Sequence, residues 1–343
     1  MTRITFVHTV CGFVLCGLLA GCRTGLEDSV VIYSAADREY AKPILGAFER
    51  RNEGVRIAPV FDVESTKTVG LVSRIESESS RPRCDVFWNN EIMHTLRLQE
   101  AGLLQPIPWN LPADWPTNMR GKDGTWVGIA ARARVLLVNR EILPSDGERP
   151  TSVLDLADPK WKKRCAIAEP LFGTTATHFA ILSSTLGEAA ALELFQRIKE
   201  NAVVVSGNKQ VAQMVSSGGC AFGLTDTDDA LIEIDSGLPV DIVFPDQAEG
   251  QTGAIRIPNT LAVIKGGPHP TAAVSLANYL ASEDTEARLA MGPSGQFPIR
   301  PNHPQQSRAL KDATIRWMDV DFQAASKAWP DLSEKLRAMF RGQ

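Results

Sequence analysis

The chain has 343 residues, 44% hydrophobic and 22% charged, with a formal net charge of −4. That length exceeds what one compact core usually holds, so two lobes are expected. The mildly acidic balance excludes a nucleic-acid binder, which needs a basic face to displace counterions.

The N-terminus reads as a leader. Arg3 precedes an apolar stretch from Ile4 to Ala20, which closes on Leu19-Ala-Gly-Cys22. A charged tip, a short apolar run and a small-residue exit form a secretory signal peptide over residues 1–21 rather than a membrane span. The exit resembles the lipobox of bacterial lipoproteins. That resemblance implies cleavage before Cys22, a lipid on its thiol, and an extracytoplasmic protein held to a membrane. The alternative is an ordinary signal peptide with a chance cysteine. Cys11 and Cys16 leave with the leader, so Cys84, Cys165 and Cys220 remain. An odd number permits at most one internal bridge, and no CxxC or HxxxH spacing suggests zinc.

Beyond the leader, strands and helices alternate. Ser29 to Ser34 is an apolar strand, followed by a helix through Glu49. A second strand runs from Val55 to Phe61, and a helix from Thr66 to Ser77 carries Val69, Val72 and Ile75 at helical spacing. Cys84 to Trp88 is a third strand. The apolar run from Trp126 to Val138, bearing Arg132 and Arg134, suits a crossing between lobes. The pattern then restarts: a strand from Cys165 to Ala168, a helix opened by Gly173, a helix from Glu188 to Lys199, and a strand from Val203 to Val205. A helix from Asn208 to Ser216 and a strand from Cys220 to Leu224 follow. Thr260 to Ile264 is a returning strand, and Lys311 to Arg341 an amphipathic C-terminal helix. This alternation predicts α/β architecture with parallel sheets and ligands beyond the carboxyl ends of the strands. In such sheets the first and third strands of the second lobe lie side by side. Cys165 and Cys220 then either bridge or stay buried as free thiols.

Several stretches, in order, resemble periplasmic solute-binding proteins of the ferric-iron-binding type that feed ABC importers. They include Val30-Val-Ile-Tyr-Ser-Ala35, Cys84-Asp-Val-Phe-Trp88, Glu100-Ala-Gly-Leu-Leu104, Ala133-Arg-Val-Leu-Leu-Val-Asn139, the segment Leu154 to Trp161, and Gly295-Gln-Phe-Pro298. The resemblance implies two doubly wound lobes, hinged about a cleft (a type II-like periplasmic binding fold). Lobe 1 would comprise residues 22–134 and 256–300, and lobe 2 residues 135–255 and 301–343. It implies a monomeric receptor that passes a small ligand to a permease, with no cofactor beyond a bound metal ion, Fe(III) among the candidates.

In the ferric-binding members two adjacent tyrosines hold the metal, helped by a histidine and a glutamate. Here Thr227 and Asp228 occupy or neighbour the tyrosine positions, the histidine position falls on or near Asp37, and the glutamate position falls on Asn90 with Glu91 beside it. Only Tyr33, Tyr40 and Tyr279 exist in the whole chain. The resemblance also implies an anion beside the metal, at the loop matching Gly173-Thr174-Thr175.

The residues carry their own chemistry. Asp226, Asp228 and Asp229 sit together at a strand end, as hard oxygen ligands for a metal or an ammonium group, or as acids capping the next helix. Ser34, Asp37, Asn90 and Glu91 lie at strand ends of the first lobe. Gly173, Thr174 and Thr175 open a helix suited to an oxyanion, or simply cap it. Arg132 or Arg134 adds a guanidinium fork or an inter-lobe ion pair, and Asn208 either caps its helix or reaches the cleft. No Gly-x-Ser-x-Gly elbow, His-Glu-x-x-His or P-loop occurs, which argues against an enzyme. The alternatives to metal capture are a small organic or phosphorylated solute, and a sensor's role rather than a transporter's.

Overall fold

The run Val30-Val-Ile-Tyr33 has the β-branched and aromatic composition of a buried strand, and it forms β1 (Ser29–Ser34) at the centre of the first half of the sheet. The computed structural model describes residues 29–62, 69–310 and 314–342. The expected signal peptide and Cys22 lie outside the described residues. In chain order, α1 (Arg38–Arg51), β2 (Arg56–Phe61), α2 (Val69–Ser77), β3 (Val86–Asn89), α3 (Met93–Glu100) and the short β4 (Leu104–Gln105) follow. β2 and β3 flank β1, both parallel to it.

The long apolar run becomes β5 (Trp126–Asn139), all of its 14 residues buried. It joins the two halves of the sheet. Its first part pairs antiparallel with β10 (Arg256–Ile264), from Trp126 to Ala133. Its second part pairs with β8 (Phe222–Asp226), from Arg134 to Val138. The second half contains β6 (Cys165–Ala168), α4 (Gly173–Leu186), α5 (Glu188–Asn201), β7 (Val203–Val205) and α6 (Asn208–Ser216). After β8 come α7 (Thr227–Asp235) and β9 (Val240–Val243). Strand order is β2-β1-β3-β10-β5-β8-β6-β7, with β4 on β10 and β9 on β5. Each half is thus a βα-wound unit of mixed rather than wholly parallel strands. β5 and β10 run antiparallel to their neighbours because each enters one half from the other.

Three further expectations are corrected. β6 and β8 do lie side by side, but Cys165 is in register with Phe222, two residues past Cys220. The Cys165 thiol is turned toward Leu156 O and Asn201 Nδ2, each at 3.8 Å. Cys84, Cys165 and Cys220 are all buried free thiols, so the bridge is not formed. The third strand of that half starts at Phe222 and runs on to Asp226, because Cys220 and Ala221 belong to the turn feeding it. The C-terminal helix starts at Phe322, not near Lys311.

After β10 come α8 (Pro270–Leu280), α9 (Glu283–Met291) and α10 (Phe322–Arg341). Phe322, Ala325, Leu332 and Leu336 form the buried face of α10, the i, i+3, i+4 stripe of an amphipathic helix. That face packs on α4 in one half and α3 in the other. Ser326 Oγ donates to Met93 O at 3.4 Å, and Phe340 meets Phe179 edge-on. No described helix is long and apolar enough to cross a membrane.

Candidate functional site

Asp226 ends β8 with backbone angles of an N-cap, yet its carboxylate makes no capping bond to α7. It is turned to the cleft-side polar groups instead. Antiparallel register sets Arg134 of β5 directly opposite it, and Arg134 NH1 donates to Oδ1 at 2.6 Å. Oδ2 accepts from Thr174 Oγ1 at 2.6 Å and Asn208 Nδ2 at 3.0 Å. Arg134 also donates to Thr174, Thr175 and Asn208, each at 3.2 Å. Burial alone would raise the Asp226 pKa, but Arg134 and Arg132 outweigh it and hold the carboxyl below its ordinary value.

Arg132 stands two residues earlier on the same strand face. Its NH1 donates to Asp228 at 3.4 Å, and its NH2 donates to Asn90 O, joining the two halves. Burial would lower its pKa, yet Asp228, Asp226, Asp37 and Asp229 together hold it above the usual guanidinium value. The acid cluster therefore already encloses a resident cation. Asp226, Asp228 and Asp229 offer carboxylate oxygens within 4.8 Å of one another.

These groups line a cavity of about 620 Å³ between the two halves. Asp37, Asn90, Arg132, Gly173, Thr174, Thr175 and Asn208 line it, as do Asp226, Asp228 and Asp229. Gly173 has φ +57°, a left-handed conformation that favours glycine, and a Cβ there would meet nothing within 4 Å. Four expected ligand residues do not line the cavity. Ser34 is fully buried, with its hydroxyl 3.4 Å from Ala36 O. Glu91 is spent on the start of α3, accepting from Met93 N, His94 N and Asn89 Nδ2, and from Thr177 across the halves. Thr227 Oγ1 accepts from Ala133 N. Arg134 lies behind the wall with no exposed surface and acts through Asp226.

Sequence reasoning missed Phe172, Lys209 and Arg341, which also line the cavity. Lys209 adjoins Asn208 and was findable as a first-turn cation of α6. Arg341 comes from α10, far along the chain, and no local pattern could place it. None of the three tyrosines lines the cavity. Tyr33 donates to Glu78 at 2.9 Å, Tyr279 packs on Phe48, and Tyr40 is buried on α1. His178 is buried on α4 and accepts from Arg134 Nε at 3.4 Å through Nδ1. Burial, and then Arg134, push its pKa down to about 3, so it is neutral.

Residues 85–325 match the family described as Bacterial extracellular solute-binding protein. The chain belongs to that family. This solute-binding protein is therefore a binding protein and not an enzyme. It is 30% identical over 211 residues to the major ferric iron-binding protein of Neisseria meningitidis, covering 60% of each chain. It is 29% identical over 241 residues to iron uptake protein A1 of Synechocystis, covering 67% of this chain and 65% of that one. It thus spans about 60% of the length of the first of these relatives. Iron-bound HitA from Pseudomonas aeruginosa shares the fold, with a TM-score of 0.79 at 22% identity over 90% of this chain and 99% of that one.

Proposed function

We propose that this chain is the receptor of an ABC importer, capturing a small ligand between two hinged lobes and presenting the closed form to a permease. The lobes are residues 22–134 with 256–300 and 135–255 with 301–343, and β5 is the strand that runs from one into the other. The chain is exported, loses residues 1–21, and is tethered through lipid on Cys22. The cargo is a hard metal, ferric iron foremost, held together with an anion. The observation that carries this reading is the juxtaposition of three carboxylates within 4.8 Å with the N-terminus of α4 on one cavity wall. Oxygen ligands suit such an ion, and the helix end suits its companion anion. The names of the two relatives point the same way.

A second reading is a small organic or phosphorylated solute, bound for transport or for sensing. It is favoured by Arg132 and Arg134, which already engage Asp226 and Asp228 where a bare cation would sit. Native mass spectrometry with elemental analysis of protein from its own extracytoplasmic compartment separates the two. Stoichiometric iron is expected; an organic mass without metal selects the second reading, and neither species removes both. Asp229→Ala should lower the thermal stabilisation produced by Fe(III) with phosphate, and an unchanged shift removes Asp229 from the site. The same spectrum tests the tether, since an unprocessed N-terminus or an unmodified Cys22 overturns it.

A further inference from the structure

We propose that the protein carries a second ligand site, on the face of the sheet opposite the cleft, where Arg256 and the Trp317 indole receive a small organic carboxylate. The inference does not depend on what the cleft binds.

The site begins with strand register. Arg256 opens β10 and pairs with Ala133 of β5. Successive side chains of a strand alternate between faces, so Arg256 stands on the opposite face from Arg132 and Arg134. It lines a separate cavity of about 270 Å³ together with Asn118, Met119, Trp317, Met318 and Phe322. None of these residues lines the cleft cavity. Arg256 itself is a half-buried cation without a counterpart. Its guanidinium makes no hydrogen bond or ion pair with the described residues, and its contact is with the Trp317 ring, 5.5 Å from the centroid. A ring face leaves the in-plane N–H donors free. Burial pulls the Arg256 pKa below the usual guanidinium value, opposed by Glu286. That carboxylate, however, is taken by the N–H groups of Ala130, Ile299 and Arg300. Asp319, an exposed acid on the cavity rim, accepts from Asn118 Nδ2 at 3.4 Å rather than from Arg256. The guanidinium nitrogens stay accessible to solvent, so a ligand in this cavity can reach them.

The walls choose the ligand class. A planar fork of N–H donors matches a carboxylate in bidentate fashion. Beside it, the Trp317 indole is held edge-on by Phe297 and Phe244, with centroids 5.0 and 6.2 Å away. Met119, Met318 and Phe322 add apolar surface. A fixed aromatic face next to a guanidinium suits carbon attached to the carboxylate, and a hydrated inorganic ion gains nothing from it. The volume of about 270 Å³ lies just below the ~300–1,000 Å³ of drug-sized pockets, which sets the ligand at the size of a short-chain or single-ring acid.

The test is isothermal titration of the full-length protein with benzoate, its neutral isostere benzamide, and acetate. Benzoate should bind at least about tenfold tighter than either of the others. Arg256→Gln should remove the preference for benzoate over benzamide. Its Tm should not fall, because the substitution deletes a half-buried charge that no acid balances. Asn118→Asp, on the exposed rim and away from β10, should weaken benzoate by about threefold or more through charge repulsion, at constant Tm. Absence of benzoate binding overturns the site, as do equal affinities for benzoate and benzamide or for benzoate and acetate. A benzoate affinity that both substitutions leave intact places the ligand elsewhere and overturns it too. A Tm lowered by Arg256→Gln, with benzoate binding unaltered by Asn118→Asp, makes Arg256 a structural partner of Trp317 and overturns the proposal in the same way.

Discussion

Arg134 has no exposed surface, and its charge is balanced by Asp226 alone at contact distance and by neutral groups around it. Removing one member of such a buried pair strands the other charge, at a cost of about 3–5 kcal/mol. The neutral His178 beside it carries a pH dependence with a definite sign. Its folded pKa of about 3 lies below the ordinary value of 6.5. The unfolded chain therefore binds the proton that the folded chain refuses, and stability falls as pH drops from 6.5 toward 3. His178→Gln keeps an acceptor for Arg134 and removes the titration. Urea unfolding of this variant should show a pH slope shallower by about 1 kcal/mol per unit in that window, and an unaltered slope places the titration elsewhere. At this scale the sequence showed which acids cluster but not what they face. Asp226 has the position and backbone of a cap, and only the register of β5 against β8 reveals that Arg134 claims its carboxylate.

Element boundaries follow the local pattern where packing agrees with it. Asn208 to Ser216 and Gly173 as a helix start were both readable, since small or polar caps meet a clear apolar stripe there. The adjacency of β6 and β8 was readable from topology, but the sulfur geometry was not, because a two-residue offset in register is invisible in spacing. Free thiols at all three positions predict that reductant leaves the Tm unchanged, and that denatured, unreduced protein releases Cys84, Cys165 and Cys220 to a thiol reagent; a reductant-sensitive Tm contradicts this. β8 is also pressed against α6. A Cβ on Gly223 would stand 2.5 Å from Val211 Cγ1 and 3.0 Å from Ala166 O. Gly223→Ala should therefore cost about 1–3 kcal/mol by overpacking, read as a lower urea midpoint at constant m.

At the scale of the molecule, the two halves are joined along β5, which pairs with β10 in the first and β8 in the second. Ala130 of β5 has φ +29°, and the β5–β10 register shifts between Pro258 and Asn259 opposite it. The kink is enclosed by polar partners. Buried Glu286 accepts from Ala130 N at 2.9 Å and Ile299 N at 2.7 Å, and Asn259 Nδ2 donates to Ala130 O. A β-branched side chain is poorly tolerated at positive φ. Ala130→Val should lower stability by about 2 kcal/mol or more, whereas Ala130→Gly should change it by less than about 1 kcal/mol. Equal effects of the two would show that bulk, not backbone conformation, limits the position. The two-part architecture was legible because the strand–helix pattern restarts near Cys165. The mixed strand directions were not, since a crossing strand and a parallel strand share the same buried apolar composition.

The placement of α10 has a consequence for the completeness of the cavity. Ser326 meets Met93 across 233 residues of sequence, and the same helix brings Arg341 to the cavity wall. One helix near the end of the chain thus carries both a contact to the first half and a wall residue of the cavity, so a truncation that removed it would take both away at once.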